Sequence, residues 1–356
     1  MTRGFCVTRL SVSSLVCCIT LQKCPVDIQA DRGRERGLSA PQMENHTYNE
    51  HVLLLEGLNV TPQSSYPAFI ILLVIYIFTM VANISLAVVI CMERSLHQPM
   101  YILLCNMSFN DALSITTFIP RVLSDIFKAS AARYITYVEC AIQAFCGHMF
   151  ATTGHTILMI MAFDRYMAIC NPLRYASIMN NKMLVKLCVF AWGVAFLFVA
   201  VLIGLSVRLS RCRSYVFNPF CDNASLFKLS CESVFINDIY GLFFTALLFI
   251  ASIVSVSLTY IRITMVCVQS KSKSLNSKAL NTCFTHLAVY VIMLMTGFII
   301  VFLHRYPQWS NHRKVASIIF PLVAPCLNPI IYGLQSKEIY KVVKNMFQSK
   351  IMSLRL

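Results

Sequence analysis

The chain has 356 residues, of which 57% are hydrophobic and only 13% charged, with 30 Lys and Arg against 15 Asp and Glu and a formal net charge of +15. Soluble domains carry about 25% charged residues, so this composition excludes an ordinary water-soluble fold. The bases are spread among short connecting segments rather than gathered in one groove, which argues against nucleic acid and for an anionic inner leaflet and a cytosolic partner.

Residues 1–42 mix bases, four cysteines and a weak apolar run at Leu10–Leu21. No clean small-residue cleavage site follows that run. The segment reads as a non-native or signal-like extension, with Met43 as the natural start. Residues 43–66 form a short acidic extracellular segment. From there to residue 334, apolar runs long enough to cross a bilayer, ~17–25 residues each, recur at Pro67–Cys91, Met100–Pro120, Cys140–Phe163, Met183–Val207, Ser233–Ile261, Phe284–Leu303 and Lys314–Leu334. Such runs are too long for barrel strands, and lipid forces the backbone to satisfy its own hydrogen bonds. The expected fold is an all-α membrane protein: a seven-transmembrane helix bundle in one domain, residues 67–334. A cytoplasmic tail, residues 335–356, follows the bundle.

The loops set the orientation. Three segments that share a side with the C-terminus hold Arg94, Arg174, Lys182, Arg262, Lys271, Lys273 and Lys278 against Glu93, and the tail adds Lys337, Lys341, Lys344, Lys350 and Arg355 against Glu338. This is the bias of a cytoplasmic face. The sequons at Asn45, Asn59 and Asn223 all fall on the opposite side, as glycan acceptors must. Of sixteen cysteines, Cys140, Cys212, Cys221 and Cys231 lie on that oxidising side. Three pairings are open to them, and spacing does not choose. No pair has the C-x-x-C spacing of a zinc site, so no metal is expected.

Charge is expensive in lipid, at ~2.5–3.5 kcal/mol on the lenient insertion scale. The acid–base pair Asp164-Arg165, at the end of the third span, therefore belongs at a membrane–water boundary, facing protein or water. Asn83, Asp111 and Asn328 stand within other spans and are expected to face the bundle interior. Pro321, Pro325 and Pro329 each remove a backbone hydrogen bond and bend the seventh span.

Longer runs carry a resemblance. They are Leu96-His97-Gln98-Pro99-Met100-Tyr101, Ser108-Phe109-Asn110-Asp111, the stretch from Met161 to Tyr175 that begins Met161-Ala162-Phe163-Asp164-Arg165-Tyr166-Met167-Ala168-Ile169-Cys170, Phe220-Cys221-Asp222, Lys228-Leu229-Ser230-Cys231, Ser257-Leu258-Thr259-Tyr260, Lys278-Ala279…Thr282-Cys283…His286-Leu287, and Pro325-Cys326-Leu327-Asn328-Pro329-Ile330-Ile331-Tyr332. Together they resemble the odorant (olfactory) receptors, a branch of the rhodopsin-like class A G-protein-coupled receptors. The resemblance implies a receptor that binds a small-molecule odorant in the outer half of the bundle. It would activate a stimulatory, cAMP-raising heterotrimeric G protein when the sixth span swings outward. Asp164, Arg165, Tyr166, Tyr260 and Tyr332 would form the switch, Asn83, Asp111 and Asn328 the polar relay. Cys140–Cys221 and Cys212–Cys231 would be the disulfides. Lys337–Met346 would form a short amphipathic C-terminal helix along the inner leaflet, with Ile339, Val342, Val343 and Phe347 turned toward lipid. The resemblance also implies a plasma-membrane protein with an extracellular N-terminus, in the cilia of olfactory sensory neurons.

The chain departs from that family where Gly154 replaces an acid, which bears on cation binding at Asp111. It departs again where Met293-Leu294-Met295 replaces an aromatic toggle. These departures point to a divergent branch, of fish type. Helical spacing on the third span puts Ala144, Gly147, His148, Ala151 and Thr152 toward the expected pocket. No acid lies among them, which argues against an amine, and a seventh span without a mid-membrane lysine excludes retinal. Asp238 leaves a small allowance for an amine. His148 and Arg305 would converge on an anion, so the alternative is a non-olfactory class A receptor for a small ligand, an anion included. No cofactor is implied. Eight histidines without H-x-x-H spacing offer no catalytic constellation, and the halves show no transporter-type repeat.

Overall fold

A computed structural model describes residues 52–58, 60–269, 273–335 and 337–353. The extension at residues 1–42, Asn45 and Asn59 lie outside the described residues. Seven long helices run through the chain: α1 (Pro62–Met92), α2 (Pro99–Ile126), α3 (Tyr137–Cys170), α5 (Asn181–Val207), α7 (Phe235–Gln269), α8 (Lys273–Arg305) and α9 (Ser310–Gln335). Shorter α4 (Pro172–Ile178) and α6 (Asn223–Phe227) sit in loops, and α10 (Lys337–Ser353) closes the chain.

The burial pattern is inside-out relative to a soluble bundle. On α1 the exposed residues are Ile70, Ile71, Val74, Ile77, Phe78, Val81, Ile84 and Val88, whereas Thr79 and Asn83 are fully buried. Apolar groups face outward at helical spacing, so the medium around them is itself apolar. Six of the long helices are apolar enough to cross a membrane by length and composition. The remaining one, α3, is less apolar because it is the central post. It buries 17 of its 34 residues, among them Gln143, Thr152, Thr153, His155, Thr156 and Asp164, while α1 buries 6 of 31.

Polar caps start several helices outside the apolar runs that sequence alone marks. Thr61 and Ser64 form a capping box with Pro62 in the first turn, so α1 begins there rather than at Pro67. Thr136 and Glu139 do the same for α3, and Asn180 caps α5. At the cytoplasmic ends α3, α7 and α8 run on to Cys170, Gln269 and back to Lys273. Helix propensity there continues past the lipid boundary.

A three-stranded sheet covers part of the outer face, in the order β2-β1-β3. Its central strand β1 (Val52–Leu55) comes from the segment before α1, β2 (Tyr134–Thr136) from the loop before α3, and β3 (Tyr215–Val216) from the loop after α5. β1 pairs antiparallel with β2 (Leu53 opposite Ile135) and parallel with β3 (Leu54 opposite Tyr215). Leu53 and Leu55 are buried beneath it beside Cys140, Val199 and Cys221.

The tail helix corrects one expectation. Ile339 is buried in the core cluster with Leu86, Ile90 and Tyr332, and Val342 and Val343 pack against the same cluster. The apolar face of α10 therefore closes on α1 and α9 rather than on lipid. Tyr340 is an exposed large apolar residue there, and the side chain of Phe347 is outside what is described.

Candidate functional site

The polar side chains that the bundle buries fall into three levels. At the cytoplasmic end of α3, Asp164 is fully buried and Arg165 about one-fifth exposed, with Nη2 of Arg165 2.8 Å from Oδ2 of Asp164. The second carboxylate oxygen accepts from the Tyr175 hydroxyl of α4 at 2.8 Å. Burial and then the Asp164 anion push the Tyr175 phenol above its ordinary range, so it stays a donor. Tyr166 lies half-buried alongside, its ring 6.5 Å from that of Phe163. Across the cleft, Tyr260 of α7 shares a 2.5 Å hydrogen bond with Nδ1 of His286 on α8. The His286 ring lies 6.3 Å from the ring of Tyr332 on α9. The Tyr332 hydroxyl, His286 Nε2 and Arg165 Nε are buried with no partner among the described residues.

The middle level joins α1, α2 and α9. Asn328 donates to Asp111 at 2.6 Å, and Asn83 donates to the carbonyls of Thr79 and Pro325, each at 2.9 Å. The carbonyl of Pro325 is available because Pro329, four residues on, has no N–H to give it. A side chain on Gly154 would press on Met293 and Asn110. A larger side chain there needs the Met293 methyl to give way.

The outer level is built by the loop after α5. Disulfides join Cys140 to Cys221 and Cys212 to Cys231, with Cα separations of 5.2 and 5.8 Å. Cys221 N–H donates to Gln143 at 2.8 Å, and Gln143 donates to the Thr117 carbonyl on α2. Asn223 N–H donates to Nε2 of His148 at 3.3 Å. Asp222 caps α6 through Ser225 N–H at 2.7 Å, accepts from Asn218, and lies 3.1 Å from Nε2 of His304 on α8. Burial pushes the Asp222 carboxyl up, but His304 and the Ser225 bonds outweigh it and hold it below the usual carboxylate range. Arg313 of α9 donates to Asn218 Oδ1 and the Phe217 carbonyl. The segment 217–225 is therefore tied to α2, α3, α8 and α9 at once.

The ligand-pocket candidates divide. Thr152 is buried, its hydroxyl on the His148 carbonyl at 2.8 Å. Ala151 and His148 are half-buried. Ala144 packs with Val199, Leu202 and Cys221, under the loop, and Gly147 is pressed by Phe118 of α2. Two expectations are corrected. Arg305 does not converge with His148: its Nη1 lies 4.0 Å from Asp238, and both side chains are nearly half-exposed. Asn223 is not presented as a glycan acceptor, because its side chain is buried and accepts from Ser206 at 2.7 Å. Ser206 in turn accepts from Asn237 of α7 at 3.1 Å.

Sequence reasoning passed over Tyr175, His286, Asp222 and His304. The first three stood inside the quoted runs, but only the fold gives them partners. The family pattern described as olfactory receptor matches residues 72–350. The chain belongs to the olfactory receptor family. It is 34% identical over 301 residues to the chicken olfactory receptor-like protein COR2, covering 84% of this chain and 95% of that one. It is 33% identical over 299 residues to human olfactory receptor 5AC2, covering 83% and 95%. Mouse olfactory receptor 2B6 is 34% identical over 307 residues, covering 85% and 96%. This olfactory receptor is a multi-pass, G-protein-coupled membrane receptor for odorants and not an enzyme.

Proposed function

We propose that this olfactory receptor raises cAMP through a stimulatory G protein, and that the inner level of its bundle is the switch. The observation that carries the reading is the Asp164–Arg165 pair, buttressed by Tyr175, beside a Tyr260–His286–Tyr332 cluster with unsatisfied polar atoms. Arg165 held by Asp164 is the resting state. An outward swing of the inner end of α8 separates His286 from Tyr260, and the freed tyrosines then take up Arg165. Two arrangements of one charge form a bistable element that a ligand can bias. Asn83, Asp111 and Asn328 connect that switch to the outer half, where an odorant lies among α3, α7, α8 and α9 near His148, Ala151 and Thr152. The N-terminus is extracellular, and the receptor works in the cilia of olfactory neurons.

The test is a cAMP reporter in cells expressing the full chain at the surface, screened with an odorant library. An odorant that raises cAMP in the parent receptor and not in Arg165→Ala, at equal surface level, is the expected result. A responding odorant whose effect survives Arg165→Ala would remove the switch assignment. A response through another second messenger would remove the stimulatory coupling.

A further inference from the structure

Three bases are buried in the outer cap, Arg133, Arg313 and Lys314, at 6%, 7% and 3% exposure. Two of them bind uncharged groups. Arg133 donates to the backbone carbonyls of Asp125, Lys128 and Glu56, and Arg313 to Asn218 Oδ1 and the Phe217 carbonyl. The nearby carboxylate of Asp125 is taken by Arg121 and Lys128. Lys314 is the exception: its ammonium, in a side chain only 4% exposed, is paired with Oε1 of Glu56. The other oxygen, Oε2 of Glu56, is buried without a partner among the described residues. A positive φ at Gly57 lets the chain turn there, and a side chain at that position would collide with Arg133.

A buried ammonium needs an anion, because an unpaired one is strongly destabilising. The anion here is not supplied by the bundle. It arrives on the end of β1, a short strand that is also held by backbone bonds from Leu54, Leu55 and Glu56 to Ser214, Arg133 and Val216. A second base stands beside the pair, since Arg133 donates to the Glu56 carbonyl. Such a site selects for a carboxylate rather than for Glu56 as such. We propose that Lys314 and its surroundings form a binding site for small organic carboxylates, filled in the resting receptor by the receptor's own Glu56. An external carboxylate competes with Glu56 for Lys314 and loosens β1. This inference is independent of the odorant reading, because it concerns occupancy of the cap and not signalling. A tethered group competes at an effective concentration in the millimolar range, so the wild-type site responds to carboxylates only at that level and above.

The test is chemical rescue on the purified full chain in detergent. Glu56→Ala is expected to lower the melting temperature by several degrees, and acetate or propionate to restore most of the loss where chloride at equal ionic strength does not. Lys314→Met is expected to lose stability and gain nothing from acetate. Glu56→Ser also vacates the carboxylate's space and takes the place of Glu56→Ala if that variant does not survive purification. The wild-type receptor supplies a reading that needs no variant: propionate speeds amide exchange at Leu54, Leu55 and Glu56. Acetate and chloride acting alike on the Glu56 variants would overturn the proposal, as would equal rescue of Lys314→Met. Exchange at β1 that ignores propionate would overturn it as well.

Discussion

Asp164→Asn and Tyr175→Phe, made singly and together, measure how strongly the resting state is latched. Asp164 is fully buried and accepts at 2.8 Å from both Arg165 and Tyr175. A hydrogen bond to a charged group contributes ~1.5–3 kcal/mol. Asp164→Asn removes the charge from both bonds, and about 2 kcal/mol is a fair figure because Arg165 keeps some contact with solvent. Tyr175→Phe removes one donor from a half-buried site and costs about 1 kcal/mol. For a resting receptor that is active on the order of 1% of the time, these losses raise the active fraction to about a quarter and about 5% respectively. The two changes share one carboxylate, so the double variant is expected to match Asp164→Asn alone, with a coupling of about 1 kcal/mol. The assay is basal cAMP divided by surface receptor. Strict additivity, or a basal level unmoved by Tyr175→Phe, would show that Tyr175 does not buttress the latch.

Other expectations follow from the same geometry. Cys140→Ser removes the bond between α3 and the loop, a loss of about 2–5 kcal/mol, and surface expression falls while Cys212→Ser, in a bond internal to the loop, does less harm. Gly147→Val drives a side chain into Phe118, whose ring lies 4.4 Å from that of Phe220, tilted at 47° to it; the overpacking costs about 1–3 kcal/mol and lowers the melting temperature. Mass spectrometry of the glycosylated receptor is expected to find Asn223 bare, since its side chain is buried, and a glycan there would contradict the outer fold. Asp222 has a depressed carboxyl, so the stability it confers is present above the ordinary carboxylate range and is lost only as pH falls through that lower value. Asp222→Asn should therefore cost at least as much melting temperature at pH 5 as at pH 7.4.

Much of the bundle was legible because lipid is an unforgiving solvent. Runs without charge had to be helices, and the acid–base pair at the end of the third span had to stand at a membrane–water boundary. What stayed hidden depends on loops. Nothing in Val52–Leu55 announces the middle strand of a sheet, because its partners at Tyr134 and Tyr215 are far away in sequence. Asp222 and His304 read as loop and helix-end polar residues until the Cys140–Cys221 bond brings the loop down onto α3 and α8. Arg305 drew attention for its charge, yet the neighbouring His304 points inward, since adjacent residues on a helix face about 100° apart. Ile339 was assigned to lipid from the family resemblance and an amphipathic pattern, which marks an apolar face without saying what covers it.

The outer ties also shape how α8 can move. Its outer end is held at Asp222 by His304, while its inner half is held to α7 by His286 and Tyr260. At 1.5 Å per residue, His286 lies ~27 Å from that outer pin. The inner ties are two hydrogen bonds that involve no carboxylate, Tyr260–His286 and Tyr290–Ser252, whereas the outer tie is to a carboxylate that Ser225 N–H and Asn218 also hold. The weaker end yields first, so the proposed swing is a tilt about the outer end rather than a translation. A tilt of about 10° displaces His286 by about 5 Å, enough to break its bond to Tyr260 and leave Tyr260 and Tyr332 facing Arg165. A ligand therefore need not push the inner end directly. It need only favour the tilted packing below the loop, and the length of α8 converts a small change there into the separation that the switch requires. If the pin matters, His304→Ala should weaken odorant-driven cAMP while leaving the Asp164→Asn basal signal intact; an unaffected odorant response at equal surface level would refute the pivot.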